Sequence, residues 1–192
     1  MLKTFSGRRA SQNEQELRGF ISLLQSEGVT RYLEVGAREG DTFHEVMTSL
    51  PAGAVGVALD LPGGNWGHKS TRLKLERAVV ALQGRGYAAS CLFGDSRSDA
   101  TRRLAAGRGP YDAILLDGDH TLVGVTADWD NYRAMGRLIA FHDIVGAGQM
   151  DKRNNVPVEV PTLWASIKAS GVRYMEFIAP DSTMGIGVVW TR

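Results

Sequence analysis

The segment LEVGAREG, residues 33–40, joins a short apolar run to a stretch of helical period. The run Arg31–Val35 predicts a buried strand. On one face of the helix predicted after it lie Phe43, Val46, Met47 and Leu50. Gly36 and Gly40 fall between strand and helix, where glycine permits a tight turn. The segment therefore predicts the first strand–turn–helix unit of an α/β domain.

The same alternation continues along the chain, which is the pattern of parallel strands joined by crossover helices. Further strands are predicted at 54–59, 88–93, 111–116, 138–141, 174–178 and 185–190. Helices are predicted from Ser11, capped by its hydroxyl with Glu14 reaching back, to Gly28, then at 71–83, at 122–135 and around Val160, Leu163, Trp164 and Ile167. The last two strands are too close in sequence for a helix between them, so they should pair antiparallel.

Size and composition favour one domain spanning residues 1–192 that acts on a small ligand. The 192 residues are 43% hydrophobic, which suffices for one two- or three-layer core. The net charge of +1 produces no global field that would favour nucleic acid or a membrane as a partner. Cys91 is the lone cysteine, and no apolar run reaches the ~20 residues of a membrane span. We therefore expect a cytoplasmic protein, and a homo-oligomer stays open.

Acidic residues lie at or just after the end of each of the first five predicted strands. The strand tips carry Glu34, Asp60, Gly94-Asp95-Ser96, Asp117-Gly118-Asp119-His120 and His142-Asp143. Acids also cap helices, but five in succession are hard to explain by capping alone. Ligands of open α/β sheets bind beyond the carboxyl ends of the strands, so these residues predict one shared ligand site.

The glycine turn separates candidate cofactors. A dinucleotide fingerprint needs G-x-G-x-x-G, yet its middle and third glycine positions are Arg38 and Asp41 here, which disfavours nicotinamide binding. The remaining pattern, Glu34-x-Gly36-x-x-x-Gly40, resembles the first motif of class I S-adenosylmethionine-dependent methyltransferases. The resemblance implies that this turn passes under the methionyl part of S-adenosylmethionine. It also implies ribose contacts by Asp60 and adenine contacts by Asp95 and Ser96.

The fold implied by this resemblance is a Rossmann-like three-layer sandwich. Its seven-stranded, mostly parallel sheet should have the order 3-2-1-4-5-7-6, with strand seven antiparallel, because crossovers are right-handed. The alternative for the turn is that Gly36 and Gly40 serve only the backbone.

The second half is similar to the metal-dependent small-molecule O-methyltransferases of the catechol and macrolide-sugar types. The matching motifs are DGDH at 117–120 and FHDI at 141–144. The resemblance implies that Asp117, His142 and Asp143 hold a divalent cation and that His120 is the general base. Such a cation lowers the pKa of a bound hydroxyl, and the base removes its proton before the oxygen attacks the sulfonium methyl.

His142 departs from the family pattern, which has a carboxylate or amide there. Magnesium prefers oxygen ligands, so either the metal is a softer one such as manganese, iron or zinc, or His142 is not a ligand and only caps its strand and bonds a neighbouring loop. His120 could instead start the next helix and face water, and Asp119 could be a spare ligand or a helix cap. We expect Asp128 to be solvated on that helix.

A hydroxyl of a small molecule, a sugar or a polyhydroxylated compound, is the predicted acceptor by family resemblance. Nucleic-acid amino-methylating enzymes usually carry a Pro-Pro pair, and this chain has none. Loops at 61–70, with Trp66 and His68, and at 146–159 are candidate covers for the ligands. Two alternatives stay open: another reaction on S-adenosylmethionine or a relative of it, and a binding module without catalysis.

Overall fold

The computed structural model describes residues 12–64, 71–146, 148–151 and 155–191. These residues form six helices and nine strands. The helices are α1 (Glu14–Ser26), α2 (Asp41–Ser49), α3 (Thr71–Gln83), α4 (Asp99–Ala106), α5 (Leu122–Tyr132) and α6 (Val160–Ala169). The strands are β1 (Arg31–Val35), β2 (Val55–Asp60), β3 (Ala88–Phe93), β4 (Tyr111–Leu116), β5 (Gly136–His142), β6 (Gln149–Met150), β7 (Pro157–Val158), β8 (Tyr174–Phe177) and β9 (Ile186–Trp190).

Seven of the strands form one sheet in the order β3-β2-β1-β4-β5-β9-β8. The first five are parallel, and β9 runs antiparallel to both of its neighbours, β5 and β8. Because β8 and β9 are the predicted strands six and seven, this confirms the predicted α/β fold, its strand order and its antiparallel strand. The small sheet of β6 and β7 lies in the loop predicted as a cover.

Side chains on the two faces of the sheet belong to two separate clusters, which makes the three layers. On β1, Tyr32 belongs to one cluster and Leu33 to the other, because alternate side chains of a strand point to opposite faces. The first cluster includes apolar side chains of α1, α2 and α3, and the second includes those of α5 and α6. Within the described residues no helix is long and apolar enough to cross a membrane.

Several element boundaries differ from the sequence prediction. Helix α1 begins at Glu14 with Asn13 as its N-cap, whose side chain accepts from the Gln15 N–H at 2.9 Å. The predicted start at Ser11 is therefore wrong, and Ser11 itself lies outside the described residues. The sequence pattern set no bounds for α4, because few of its side chains are apolar: its buried residues are Thr101 and Ala105.

The tips of β1 and β4 approach each other at Gly36. Its φ of 89° lies in the left-handed region, and a Cβ placed there would be 2.1 Å from the Asp117 carbonyl oxygen. Only glycine allows this contact without a shift of the main chain. Gly36, which begins the turn after β1, is thus also the point where the ends of β1 and β4 come into contact.

Candidate functional site

A cavity of about 230 Å³ lies beyond the carboxyl ends of β1 to β4. Four of the predicted cofactor residues line it: Gly36, Asp60, Asp95 and Ser96. Its other walls include Val35, Arg38, Leu59, Leu61, Arg97, Asp117, Gly118 and Asp119. The cavity therefore lies at the strand tips, where the sequence predicted a shared ligand site.

Asp60, at the end of β2, has one satisfied and one unsatisfied oxygen. Its Oδ1 accepts a hydrogen bond from the Arg38 N–H at 2.8 Å. Its Oδ2 is buried and has no hydrogen-bond partner among the described residues. Burial raises the pKa of this carboxyl, and the Arg38 N–H offsets part of that rise. A hydroxyl donor from a ligand in the cavity would satisfy Oδ2, which is the contact expected of a ribose.

Glu34 and Gly40 lie beside this cavity and not on its wall. Glu34 is buried, and its Oε2 accepts from the Tyr32 hydroxyl at 2.7 Å. Burial raises the pKa of Glu34 to about 8. The carboxyl lines a smaller neighbouring cavity of about 50 Å³, together with Gln12. Gly40 packs against α3, where an added Cβ would lie 2.9 Å from side-chain atoms of Ala78.

The far end of the larger cavity is formed by the loop after β3. Asp95 accepts from the N–H of Arg97 at 2.9 Å and is paired with its guanidinium. The Ser96 carbonyl accepts from the Tyr132 hydroxyl at 2.9 Å. Asp128 is buried behind this loop, where an added Cβ on Gly118 would lie 3.2 Å from its Oδ2.

The expectation that Asp128 is solvated is therefore wrong. The side chain faces the sheet because its position on α5 falls on the buried side, next to Val125. Burial raises its pKa to about 7.

Two carboxylates and two imidazoles meet at the tips of β4 and β5. His120 Nε2 and His142 Nδ1 each lie 3.1 Å from Asp117 Oδ1. His120 Nδ1 lies 2.9 Å from Asp143 Oδ2, and His142 Nδ1 lies 3.3 Å from Asp143 Oδ1. We call these four residues the Asp–His cluster. The structure thus brings together all four residues that the sequence assigned to metal binding and catalysis.

The charges within the Asp–His cluster stabilise one another. Burial raises the pKa of Asp117, but the nearby His142 and His120 outweigh it and hold that pKa well below its usual range. Burial lowers the pKa of His120, but its contacts with Asp117 and Asp143 outweigh this and raise the pKa to about 10. His120 is only 8% exposed, so the alternative that it faces water is wrong.

Gln12 was not among the predicted site residues, yet it binds the second carboxylate oxygen of Asp117. Its Nε2 donates to Asp117 Oδ2 at 2.8 Å, and its Oε1 accepts from the Thr42 hydroxyl. A glutamine 105 positions away in the chain has no spacing that pattern reasoning could detect. Asp119, by contrast, accepts from the backbone and hydroxyl of Thr121, and Thr121 is the N-cap of α5.

A second cavity of about 190 Å³ opens on the Asp–His cluster. The rest of its wall is formed by Gln12, Arg38, Gln149, Met150, Asp151, Val158, Thr183 and Met184. Several of these come from β6, β7 and the loop between them, within the segment predicted as a cover. The other predicted cover falls partly outside the described residues, including Trp66 and His68. Asp117 lines both this cavity and the larger one.

The Asp–His cluster also fits a metal ion. Asp117, His120 and His142 each offer one ligand atom, and these atoms lie within 4.8 Å of one another. His142 is buried, and its Nε2 has no hydrogen-bond partner among the described residues. Buried polar atoms without partners are unfavourable, and a cation bound to an imidazole nitrogen would remove part of that cost.

Comparison with solved structures identifies the fold. The chain superposes with a TM-score of 0.67 on an O-methyltransferase from Bacillus cereus in complex with S-adenosylhomocysteine, at 17% identity, covering 95% of this chain and 84% of that one. The chain shares the fold of this methyltransferase. A similar match, with a TM-score of 0.66 and 12% identity, is found with the O-methyltransferase TomG from Streptomyces achromogenes in complex with S-adenosylmethionine, covering 94% and 81% of the two chains.

The methyltransferase domain of bacterial CtHen1 matches with a TM-score of 0.61 and 14% identity, covering 93% of this chain and 98% of that chain. No protein-family model and no curated protein sequence matches this chain.

Proposed function

We propose that this protein transfers a methyl group from S-adenosylmethionine to a hydroxyl of a small molecule. One observation carries the proposal: Asp117 lines both the larger cavity and the one at the Asp–His cluster. A methyl donor in the first cavity and an acceptor in the second would therefore both lie next to Asp117. The O-methyltransferase folds that match this chain support the same activity.

On the donor side, this chain would recognise the nucleoside through side chains at the tips of β2 and β3. Asp60 Oδ2 would accept from the ribose, while Asp95 and Ser96 would border the adenine. Gly36 leaves room under the methionyl part because it has no side chain. Glu34 and Gly40 would support the turn from behind. When bound, S-adenosylmethionine supplies an electrophilic methyl group on a sulfonium.

On the acceptor side, the Asp–His cluster would hold a divalent cation and bring the hydroxyl into line with the methyl group. A cation there would lower the pKa of the hydroxyl and relieve repulsion between Asp117 and Asp143. The arrangement expected from family resemblance has Asp117, His142 and Asp143 as ligands and His120 as base. Positioning of the two reactants would supply much of the acceleration.

The polar walls of the second cavity favour a polyhydroxylated acceptor such as a sugar. Gln12, Gln149 and Asp151 can exchange hydrogen bonds with several hydroxyls, and Met150 and Met184 can cover apolar edges. A cavity of about 190 Å³ suits a small molecule. A single-domain chain and a cytoplasmic location stay predictions.

The test has two parts. Calorimetry with the full chain should show that S-adenosylhomocysteine binds more tightly than NAD, because the turn lacks the middle glycine of a dinucleotide site. Incubation with methyl-labelled S-adenosylmethionine and a panel of polyhydroxylated acceptors should then give products heavier by one methyl group. Tighter binding of NAD would overturn the cofactor assignment. A product of another mass would favour a different reaction, and binding without any turnover would favour a non-catalytic module.

A further inference from the structure

We propose that His120 is a metal ligand and not the general base, so that Asp117, His120 and His142 hold one transition-metal ion while Asp143 orients His120. The inference rests on the proposed function in taking the Asp–His cluster as the acceptor side of a methyltransferase. It differs from the arrangement that family resemblance implies, in which His120 removes the proton and Asp143 binds the metal.

The distances within the Asp–His cluster fit the edges of a coordination polyhedron. His120 Nε2 and His142 Nδ1 each lie 3.1 Å from Asp117 Oδ1. Two ligand atoms about 2.1 Å from one ion, at angles between 90° and 110°, are separated by about 3.0–3.4 Å. Both oxygen–nitrogen separations therefore match those of ligands of one ion, and all three atoms lie within 4.8 Å of one another.

The second nitrogen of His120 is already directed at a carboxylate. Its Nδ1 lies 2.9 Å from Asp143 Oδ2, on the opposite side of the ring from Asp117. Metal-bound histidines commonly donate their other ring N–H to a carboxylate, which fixes the tautomer and the ring orientation. A general base needs a nitrogen that faces the acceptor hydroxyl, but both nitrogens of His120 face carboxylates.

His142 supplies independent support for an ion at this place. Its side chain is buried, and its Nε2 has no hydrogen-bond partner among the described residues. Its Nδ1 lies 3.1 Å from Asp117 Oδ1 and 3.3 Å from Asp143 Oδ1, close to both carboxylates. A metal ion bound at Nδ1 would balance the charge of both carboxylates.

The ligand set indicates which metal would bind. Imidazole nitrogen suits zinc, iron, nickel and cobalt, whereas magnesium prefers oxygen ligands and keeps much of its water. With two imidazoles and one carboxylate, this chain should select a transition metal over magnesium. The metal would then lower the pKa of the acceptor hydroxyl so that its proton passes to solvent water, and no side chain of the cluster is needed as base.

The first experiment titrates the full wild-type chain with Co²⁺, followed by visible absorption and calorimetry, with S-adenosylhomocysteine binding measured on the same preparation. Cobalt is chosen because its absorption reports the ligand atoms directly. Co²⁺ should bind in a 1:1 ratio, and a large excess of Mg²⁺ should fail to displace it, with an affinity difference on the order of 100-fold or more. Equal affinities for Mg²⁺ and Co²⁺, or no Co²⁺ binding, would overturn the inference without any variant.

The second experiment compares three variants by Co²⁺ affinity and spectrum. His120→Ala should weaken Co²⁺ binding by at least about 10-fold and alter the spectrum, because a ligand is lost. Asp143→Asn should keep the spectrum and weaken binding by about 10- to 100-fold, as expected for a partner outside the ligand set. The matched control is His44→Ala, on α2 and outside the cluster, which should change neither.

Wild-type Co²⁺ affinity in His120→Ala, together with lost turnover, would establish His120 as the base and overturn the inference. The S-adenosylhomocysteine affinity separates the two claims. If the wild type binds Co²⁺ as expected but not S-adenosylhomocysteine, the proposed function fails and the metal site stands. If it binds S-adenosylhomocysteine normally and the metal results fail, only the inference falls.

Discussion

The cavity at the tips of β1 to β4 and the cavity at the Asp–His cluster differ in the polar groups that they present. The first is lined by one buried carboxylate, Asp60, whose Oδ2 has no hydrogen-bond partner among the described residues. The one on the acceptor side opens on the Asp–His cluster, where four charged or chargeable side chains lie within 3.3 Å of a neighbour. Under the proposed function, the first would receive a nucleoside and the second a cation.

This difference implies that most changes should affect one site and not the other. Loss of Asp60 at the donor cavity should weaken cofactor binding and spare the metal, and loss of the metal should spare the cofactor. The two sites share one close contact, where Gly36 of the turn lies against the Asp117 main chain. A substitution at that contact should affect both sites together, because it would displace the tips of β1 and β4.

The largest effect is expected from Gly36→Ala. Its left-handed φ and the Asp117 carbonyl oxygen 2.1 Å from an added Cβ predict a loss of about 3 to 5 kcal/mol in the free energy of unfolding. Gly28→Ala is the matched control, since its φ is also positive but no described atom lies within 4 Å of its added Cβ, so it should lose about 1 to 2 kcal/mol. Urea unfolding measures both, and equal losses would contradict the close contact.

Metal removal should have the next largest effect. Treatment with excess EDTA should lower kcat by on the order of 10²-fold or more, because the acceptor hydroxyl loses the ion that lowers its pKa. The affinity for S-adenosylhomocysteine, measured by calorimetry, should stay within about twofold, because removing the ion leaves Asp60 and the glycine turn in place. Full activity in excess EDTA would rule out a role for a metal in the reaction and leave the methyltransferase proposal standing.

Asp60→Ala should impair only cofactor binding. Removing this buried acceptor should weaken S-adenosylhomocysteine binding by about 1 to 3 kcal/mol, the usual cost for a hydrogen bond to a charged group. Co²⁺ affinity should be unchanged. Asp99→Ala is the control, since this carboxylate is exposed on α4 and should affect neither ligand. Unchanged cofactor affinity in Asp60→Ala would take Asp60 out of the site.

The smallest effect is a pH dependence of stability from Asp128. Burial raises its folded pKa to about 7 from an ordinary value of 3.8, so the folded protein binds the extra proton between these values. Its contribution to stability is therefore present at low pH and is lost as pH rises toward 7.

Asp128→Asn should therefore stabilise the protein at pH 8, because the wild type buries a charged carboxylate there and the variant buries a neutral amide. The gain should be about 1 to 2 kcal/mol, since relaxation of the wild-type structure around the charge already reduces its burial cost. Near pH 4 the substitution should have no effect. Thermal unfolding at the two pH values measures this. A variant less stable than wild type at pH 8 would show that the charged form is well paired.

The repetitive parts of the fold were predictable because they depend on local periodicity. The bounds of β1, α3, β3 and β4 were predicted as the structure has them, since each is an apolar or helical run with turn residues at its ends. No start or end was predicted for helix α4, because a short helix with two buried residues carries little periodic signal. The start of α1 was misplaced, because Ser11 and Asn13 are both acceptable caps by residue type.

The candidate site was predictable in its members but not in its contacts. Sequence order places Asp117, His120, His142 and Asp143 after neighbouring strands, which is enough to group them. It could not show that both nitrogens of His120 face carboxylates, that Gln12 donates to Asp117, or that Asp128 is buried. These facts depend on side-chain directions across elements that are distant in the chain.

By itself, the sequence determined that strands alternate with helices, that the last strand runs antiparallel and that acids gather at one edge of the sheet. Hydrophobic period, connection length and the order of elements along the chain can all be obtained from the sequence without coordinates. The tertiary structure alone decided which atoms touch. It set the approach of Gly36 to Asp117, the unsatisfied Oδ2 of Asp60 and the geometry of the Asp–His cluster, because packing between remote elements fixes distances that no spacing in the chain encodes.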